Sequence, residues 1–405
     1  MQICVHSNVI GTPKNLLYNS GEYTWVNSVP NNAWIYGDRA PVKSLDVLFE
    51  FLGLELPLLS CAAHMKSFQS LLGMKMHRIP WHAVLPKEKF NQSIKDLIFS
   101  LENGLERSLD DQYHGNFISQ REFLLNLSRA SIDTDALKRF IKKEKNQTIL
   151  STLSSFRPKT DQLAEKCVYN QSATRTGRLT VSSGPQVLIL PKRHKQIIKS
   201  RFLGGEIYQV DFVSLEPRVA RLATGQPADH DVYTQLSKDL FSSTLSREQC
   251  KIAVLCALYG ASKSKLSKMI GNDHDPTNII RKIQDFFGVN EILKSIRPNL
   301  KKHASFRNYF GRQINPDRND NSALVNYYIQ SSAVDAAMIG FSAATKKINK
   351  KYLKCVPIFV IHDAILFDVH PDHKKEFFNI FHNGINIPTL GEFPVTISAI
   401  ADGGE

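Results

Sequence analysis

Residues 206–218 read EIYQVDFVSLEPR. The first seven, EIYQVDF, are rich in β-formers and predict a strand with Asp211 near its end. A second stretch, CVPIFVI at 355–361, is followed by His362-Asp363 and then AILFDV at 364–369. That pattern is strand, tight turn, strand, with Asp363 at the turn. Strands can hold two carboxylates rigidly on one sheet. Such a pair can bind two divalent cations, which stabilise the attacking and leaving oxygens of a phosphoryl transfer. Mg²⁺ suits the task, being a hard cation that takes carboxylate and phosphate oxygens. Taken singly, each Asp reads more simply as a turn residue bonding its own backbone.

Outward from these stretches the chain is mostly helical. Arg247 to Tyr259 contains no Gly or Pro and reads as a helix stopped by Gly260. Its residues Arg247, Lys251, Leu255 and Tyr259 are four apart, so each step drifts only about 40° and the four form one winding stripe. Two cations near a helix N-terminus, followed by an aromatic ring, suit a triphosphate lying along the helix with its base at the far end. A solvated basic face is the plainer reading of the Arg–Lys pair alone. Asn278 to Lys302 continues helical with breaks expected at Gly288 and Pro298, and residues 94–155 read as helical. Residues 1–48 read as short strands and turns. The order of helices, strand, helices and hairpin predicts an α+β fold, its sheet assembled from distant segments around a helical insertion.

Lys and Arg number 51 against 38 acidic residues, a formal charge of +13, and Lys192–Arg201 (KRHKQIIKSR) is densely basic. Such a surplus suits a polyanionic partner, since each cation placed on a phosphate releases condensed counterions. The six cysteines, Cys4, Cys61, Cys167, Cys250, Cys256 and Cys355, include no C-x-x-C pair, which argues against a zinc site or a disulfide framework. Residues 252–259, the longest apolar run, are too few to span a bilayer, and the N-terminus does not read as a signal peptide. A cytoplasmic protein without a membrane partner is expected.

An ordered set of segments resembles DNA polymerase family A, the bacterial DNA polymerase I family. Asp211-x4-Glu216-x-Arg218 resembles its motif A, Arg247-x3-Lys251-x7-Tyr259-Gly260 its motif B, and Ile361-His362-Asp363 its motif C. Thr176-Gly177-Arg178-Leu179, Asp231-Val232-Tyr233, Gly311-Arg312 and Gln330-Ser-Ser-Ala-Val-Asp335 are similar to further family segments in the expected order, and Glu55-Leu-Pro-Leu58 to the start of its thumb. The resemblance covers roughly residues 50–405.

It implies a right-hand polymerase with an antiparallel palm sheet, helical fingers and a helical thumb. The implied division is a short N-terminal lobe at 1–48, thumb at 49–170, palm at 171–230 and 311–405, and fingers at 231–310. Asp211 and Asp363 would be catalytic, holding two Mg²⁺ ions, with Mn²⁺ able to replace them. Arg247 and Lys251 would bind the incoming dNTP, Leu255 and Glu216 would face its sugar, Tyr259 would lie by the templating base, and His362 would support the primer end. Arg178, Gln330 and Asn326 would contact primer-template DNA.

The chain also departs from the family. Ala364 follows Asp363 where the family has Glu, Leu255 replaces an aromatic residue, Tyr233 a His, and Ser322 an Arg. These changes, and a short Asp211–Asp363 interval, suit a divergent phage or mobile-element enzyme. They leave open a polymerase of altered template use, such as a terminal transferase or reverse transcriptase, or an inactive primer-template-binding protein. Residues 1–48 contain only the acids Glu22, Asp38 and Asp46 and no D-x-E, so no 3′–5′ exonuclease is expected. The enzyme is expected to be a monomer, with room for a separate processivity or exonuclease partner.

Overall fold

The computed structural model describes residues 2–30, 33–37, 44–52, 54–59, 67, 70–73, 81–109, 113–159, 161–260, 266–268 and 275–400. Asp38 and Cys61 lie outside the described residues, as do parts of the expected thumb and fingers. The chain divides into two compact units, Met1–Ile118 and Ser119–Glu405. No helix among the described residues is long and apolar enough to cross a membrane.

In the first unit, β1 (Gln2–Val5), β2 (Asn15–Asn19), β3 (Glu22–Val26) and β4 (Trp34–Tyr36) form a sheet in the order β3-β2-β1-β4. Only the β1–β4 pairing is parallel. Ile3, Cys4 and Val5 are fully buried, as expected of a central strand. Helix α1 (Lys87–Leu109) buries Ile94, Leu97, Ile98, Leu101 and Leu105, a spacing of three and four that defines one apolar face.

The second unit is built on an antiparallel sheet. Its strands are β5 (Glu206–Phe212), β6 (Cys355–Ile361), β7 (Ala364–Val369) and β8 (Val395–Ala399), in the order β6-β7-β5-β8. Sequence reading placed β5 and the β6–β7 hairpin; β8 was not anticipated. Between β5 and β6 runs the helical part. It comprises α2 (Leu215–Ala223), α3 (Val232–Phe241), α4 (Arg247–Tyr259), α5 (Pro276–Phe286), α6 (Val289–His303) and α7 (Asn321–Lys350). Leu236, Val254, Leu258, Ile283, Ile292 and Ile329 bind these helices into one buried cluster.

Local chemistry sets the helix ends. Ser246 and Gln249 form a reciprocal capping box at the start of α4, and Gly260 stops it in the left-handed region at φ 71°. Gly288, also left-handed at φ 62°, separates α5 from α6 as expected. Pro298 does not break α6. It sits on the exposed face, where water can take the carbonyl that a missing N–H leaves unbonded. Residues 94–155 form several helices, interrupted at the short strand Ser131–Ile132 and at residues 144–146, where Asn146 caps the next helix. The 30-residue α7 crosses the unit and meets the sheet where Phe341 lies against Phe212, ring centroids 5.2 Å apart. Gly340 makes room for that contact, since a Cβ there would come within 3.1 Å of the Phe212 ring.

Candidate active site

Asp211 is the penultimate residue of β5 and pairs across the ladder with Ala364, the first residue of β7. The Phe212 N–H donates to the Asp363 carbonyl at 3.3 Å. Both aspartates therefore sit at one end of the sheet, Asp211 on β5 and Asp363 in the turn that leads into the neighbouring β7. The turn between β6 and β7 is tight enough to hold His362 at φ 54°. A cleft of about 440 Å³ opens there, lined by Arg178, Asp211, Glu216, Arg247, Lys251 and Asp363, with His362 and Tyr233 also on its wall. These residues come from segments more than 180 positions apart in the chain.

Electrostatics mark the two carboxylates. Burial, and then the charge of Asp363, push the Asp211 carboxyl from the usual 3.8 up to about 6. Asp363 is likewise raised, by burial first and with Glu216 adding to it. Two crowded carboxylates facing a cleft present the donor set a hard divalent cation takes. No group of three His, Cys, Asp or Glu side chains among the described residues is arranged to hold a metal by itself. Further ligands would have to be water or phosphate oxygens, as in sites that bind a metal together with a nucleotide.

Of the four residues of the stripe on α4, Arg247 and Lys251 line the cleft and Leu255 and Tyr259 do not. Arg247, Lys251 and Leu255 are exposed and Tyr259 is half-buried. The Arg247 guanidinium is held by Asp231 at 2.5 Å and Glu248 at 2.8 Å, and rests 5.4 Å from the centre of the Tyr233 ring. Lys251 faces the cleft with no ion pair among the described residues. Leu255 is 40% exposed, so it is not packed into the helical core, although it does not line the cleft.

Glu216, at the start of α2, joins three segments. It accepts a hydrogen bond from Arg178 Nη2 at 2.9 Å and another from the Tyr259 hydroxyl. Gln330 on α7 meets Thr176 Oγ1 at 2.8 Å. With its amide turned to satisfy both neighbours, it donates to Thr176 and accepts from Arg178 Nε at 3.3 Å. Beneath this loop Arg312 and Asp335 form a buried ion pair of 2.8 Å. Gly177 leaves room for it, since a Cβ there would lie 2.2 Å from the Arg312 guanidinium. Asn326, expected at the DNA, does not line the cleft; its Oδ1 is buried and accepts no hydrogen bond among the described residues.

The family pattern described as DNA polymerase family A matches residues 64–401. The chain belongs to DNA polymerase family A. The enzyme is a DNA-directed DNA polymerase. Its fold is similar to a structure described as the POL domain of Pol1 from M. smegmatis in complex with DNA primer-template and dNTP. The TM-score is 0.56 at 15% identity, over 87% of this chain and 77% of that one.

Two features of the polymerase were not read from its sequence. Gln209 stands two residues before Asp211 on β5 and donates to its carboxylate. Strand alternation alone could have placed both side chains on one face. Lys195, within the basic run, reaches Gln209; no local sequence signal connects it to Asp211.

Proposed function

We propose that the polymerase adds deoxynucleoside monophosphates to a primer 3′-hydroxyl under the direction of a template, by two-metal-ion phosphoryl transfer. The observation that carries this reading is the convergence of Asp211 and Asp363 on a cleft that also holds Arg247 and Lys251. Two Mg²⁺ ions held by the aspartates, or Mn²⁺ in their place, would supply the Lewis acidity that activates the 3′-hydroxyl and stabilises the leaving pyrophosphate. Arg247 and Lys251 bind the triphosphate, aided by the N-terminus of α4. Glu216 closes the space beside the sugar 2′ carbon. Arg178 and Gln330 reach minor-groove acceptors, whose positions are nearly independent of sequence, so any correct pair is accepted. His362 backs the primer end, and Tyr259 lies by the templating base. Residues 119–405 carry 41 Lys and Arg against 27 acids, and residues 1–118 carry ten against eleven, which supports DNA binding by the second unit.

The domain map follows the same reading, with palm at 171–230 and 311–405, fingers at 231–310 and thumb at 49–170; the division at Ile118–Ser119 falls inside the last. We assign no 3′–5′ exonuclease to residues 1–48, so a mismatched primer end should persist in Mg²⁺ without nucleotides. Primer extension in Mg²⁺ and in EDTA tests the main reading. Extension with pyrophosphate release in Mg²⁺ only is expected, and extension that survives EDTA would contradict it.

Leu255 offers a sharper test. On this reading Leu255, one turn beyond Lys251, faces the sugar with apolar packing alone. An aromatic hydroxyl there could replace the missing 3′-hydroxyl of a dideoxynucleotide. The polymerase should therefore reject ddNTPs, and Leu255→Tyr should narrow the dNTP/ddNTP ratio by roughly tenfold to a hundredfold, comparable to one hydrogen bond. Single-nucleotide incorporation measures it. An unchanged ratio in a folded variant would place Leu255 away from the sugar.

A further inference from the structure

We propose that Gln209 and Lys195 are positioning residues that orient the Asp211 carboxylate for cation binding, an inference that rests on Asp211 being a metal ligand. Gln209 Nε2 donates to Asp211 Oδ2 at 3.3 Å, and Gln209 Oε1 accepts from Lys195 Nζ at 3.0 Å. The ammonium carries only donors, so it fixes which end of the amide faces it. The NH₂ end must then face the carboxylate. The reversed amide would set oxygen against oxygen at Asp211 and NH₂ against NH₃⁺ at Lys195. The chain of bonds thus has one polarity, and it leaves Asp211 Oδ1 with no hydrogen bond from the described residues.

The two supports arrive by different routes. Gln209 shares the strand face of Asp211, two residues earlier on β5. Lys195 comes from the separate 3-10 turn Lys192–Ile197 and is half-buried where it meets the strand. Orientation of Asp211 carries more weight here than it would with a carboxylate at position 364 beside it. Position 364 holds an alanine that is 2% exposed and paired with Asp211, so it contributes no ligand. Hydrogen-bond partners behind metal-ligating carboxylates are commonly worth tenfold to a hundredfold in metal affinity or activity.

Two substitutions separate support from charge. Gln209→Leu removes the amide at similar volume and leaves the lysine. Lys195→Met removes the brace on the amide and also a positive charge that opposes a bound cation. The measurement is Mn²⁺ binding, by electron paramagnetic resonance of free Mn²⁺, to the polymerase with primer-template ending in a dideoxynucleotide, so that no chemistry intervenes. Gln209→Leu should weaken Mn²⁺ binding about tenfold. Lys195→Met should weaken it less, about threefold, because loss of the positive charge partly offsets loss of the brace. Lys195→Arg, which keeps a cationic donor, should return binding to within about twofold of wild type. Wild-type Mn²⁺ affinity in a folded Gln209→Leu protein would overturn the proposal. Asp211→Asn serves as the reference. If it too binds Mn²⁺ normally, the metal reading of Asp211 falls and this proposal falls with it. If Asp211→Asn loses Mn²⁺ and Gln209→Leu does not, only the positioning role is wrong.

Discussion

Asp211→Asn or Asp363→Asn should lower single-nucleotide addition by at least about a thousandfold, equivalent to ~4 kcal/mol of transition-state stabilisation, while primer-template binding stays near wild type. An amide has nearly the shape of the carboxylate but cannot neutralise a cation, so the loss falls on the chemical step. Stability supplies an internal control. Burial and the Asp363 charge raise the Asp211 carboxyl in the folded chain, from 3.8 to about 6. The folded state therefore holds this proton more tightly than the unfolded state. The metal-free protein loses stability as pH rises through that interval, by up to ~3 kcal/mol. Asp211→Asn removes the repulsion, so in EDTA at neutral pH its melting temperature should equal or exceed that of wild type. Near-normal extension by either variant would remove both aspartates from the catalytic role. An inactive variant that also melted early would show a folding defect and leave their role without support.

Glu216→Ala should relax discrimination against ribonucleotides by roughly a hundredfold, ~3 kcal/mol, with a concurrent fall in rate. Two consequences of one truncation account for the pair of effects. Space opens beside the 2′ position, and the side chains that converge on Glu216 lose their acceptor. Arg178 can turn to water, but the Tyr259 hydroxyl, whose ionisation burial already disfavours, is left without its partner. An orphaned buried donor costs about 1–3 kcal/mol. Glu216→Gln separates the effects. It fills the same volume and keeps one acceptor oxygen, so sugar discrimination should survive while the rate falls modestly. The ratio of kcat/KM for dNTP and rNTP reads both variants. If Glu216→Ala discriminates as well as wild type, the sugar is gated elsewhere.

The elements that carry the candidate site were legible because their signals are local. EIYQVDF alternates as a strand should, and CVPIFVI-HD-AILFDV has the length and turn of a hairpin, so both aspartates could be placed near strand ends. The α4 stripe was equally open to reading, because a fixed step of four residues needs no tertiary context. The long-range pairings were not. β8 completes the sheet beside β5 from more than 180 residues away, and although VTISA alternates as a strand should, it is only five residues long and nothing local says which strand it joins. Helix α7 escaped for a related reason. Small and apolar residues surround it on every side because it is buried over most of its length, so no single apolar stripe announces it. Pro298 misled because an interior proline disfavours a helix without forbidding it, and packing of Ile292, Leu293 and Ile296 holds this one together. The Lys195–Gln209–Asp211 chain depends on one side chain from another segment, a kind of contact that periodicity does not encode.

The central claim is that this cleft adds the nucleotide a template specifies. The direct measurement is single-nucleotide addition by the wild-type enzyme to one primer, annealed in turn to four templates that differ only at the first unpaired base, each offered the four dNTPs separately, with the unannealed primer as control. The complementary dNMP should be added in every case, preferred by at least about a hundredfold in kcat/KM, ~3 kcal/mol, with no addition to the single strand. Addition indifferent to the template base, or equal addition to the unannealed primer, would contradict the account.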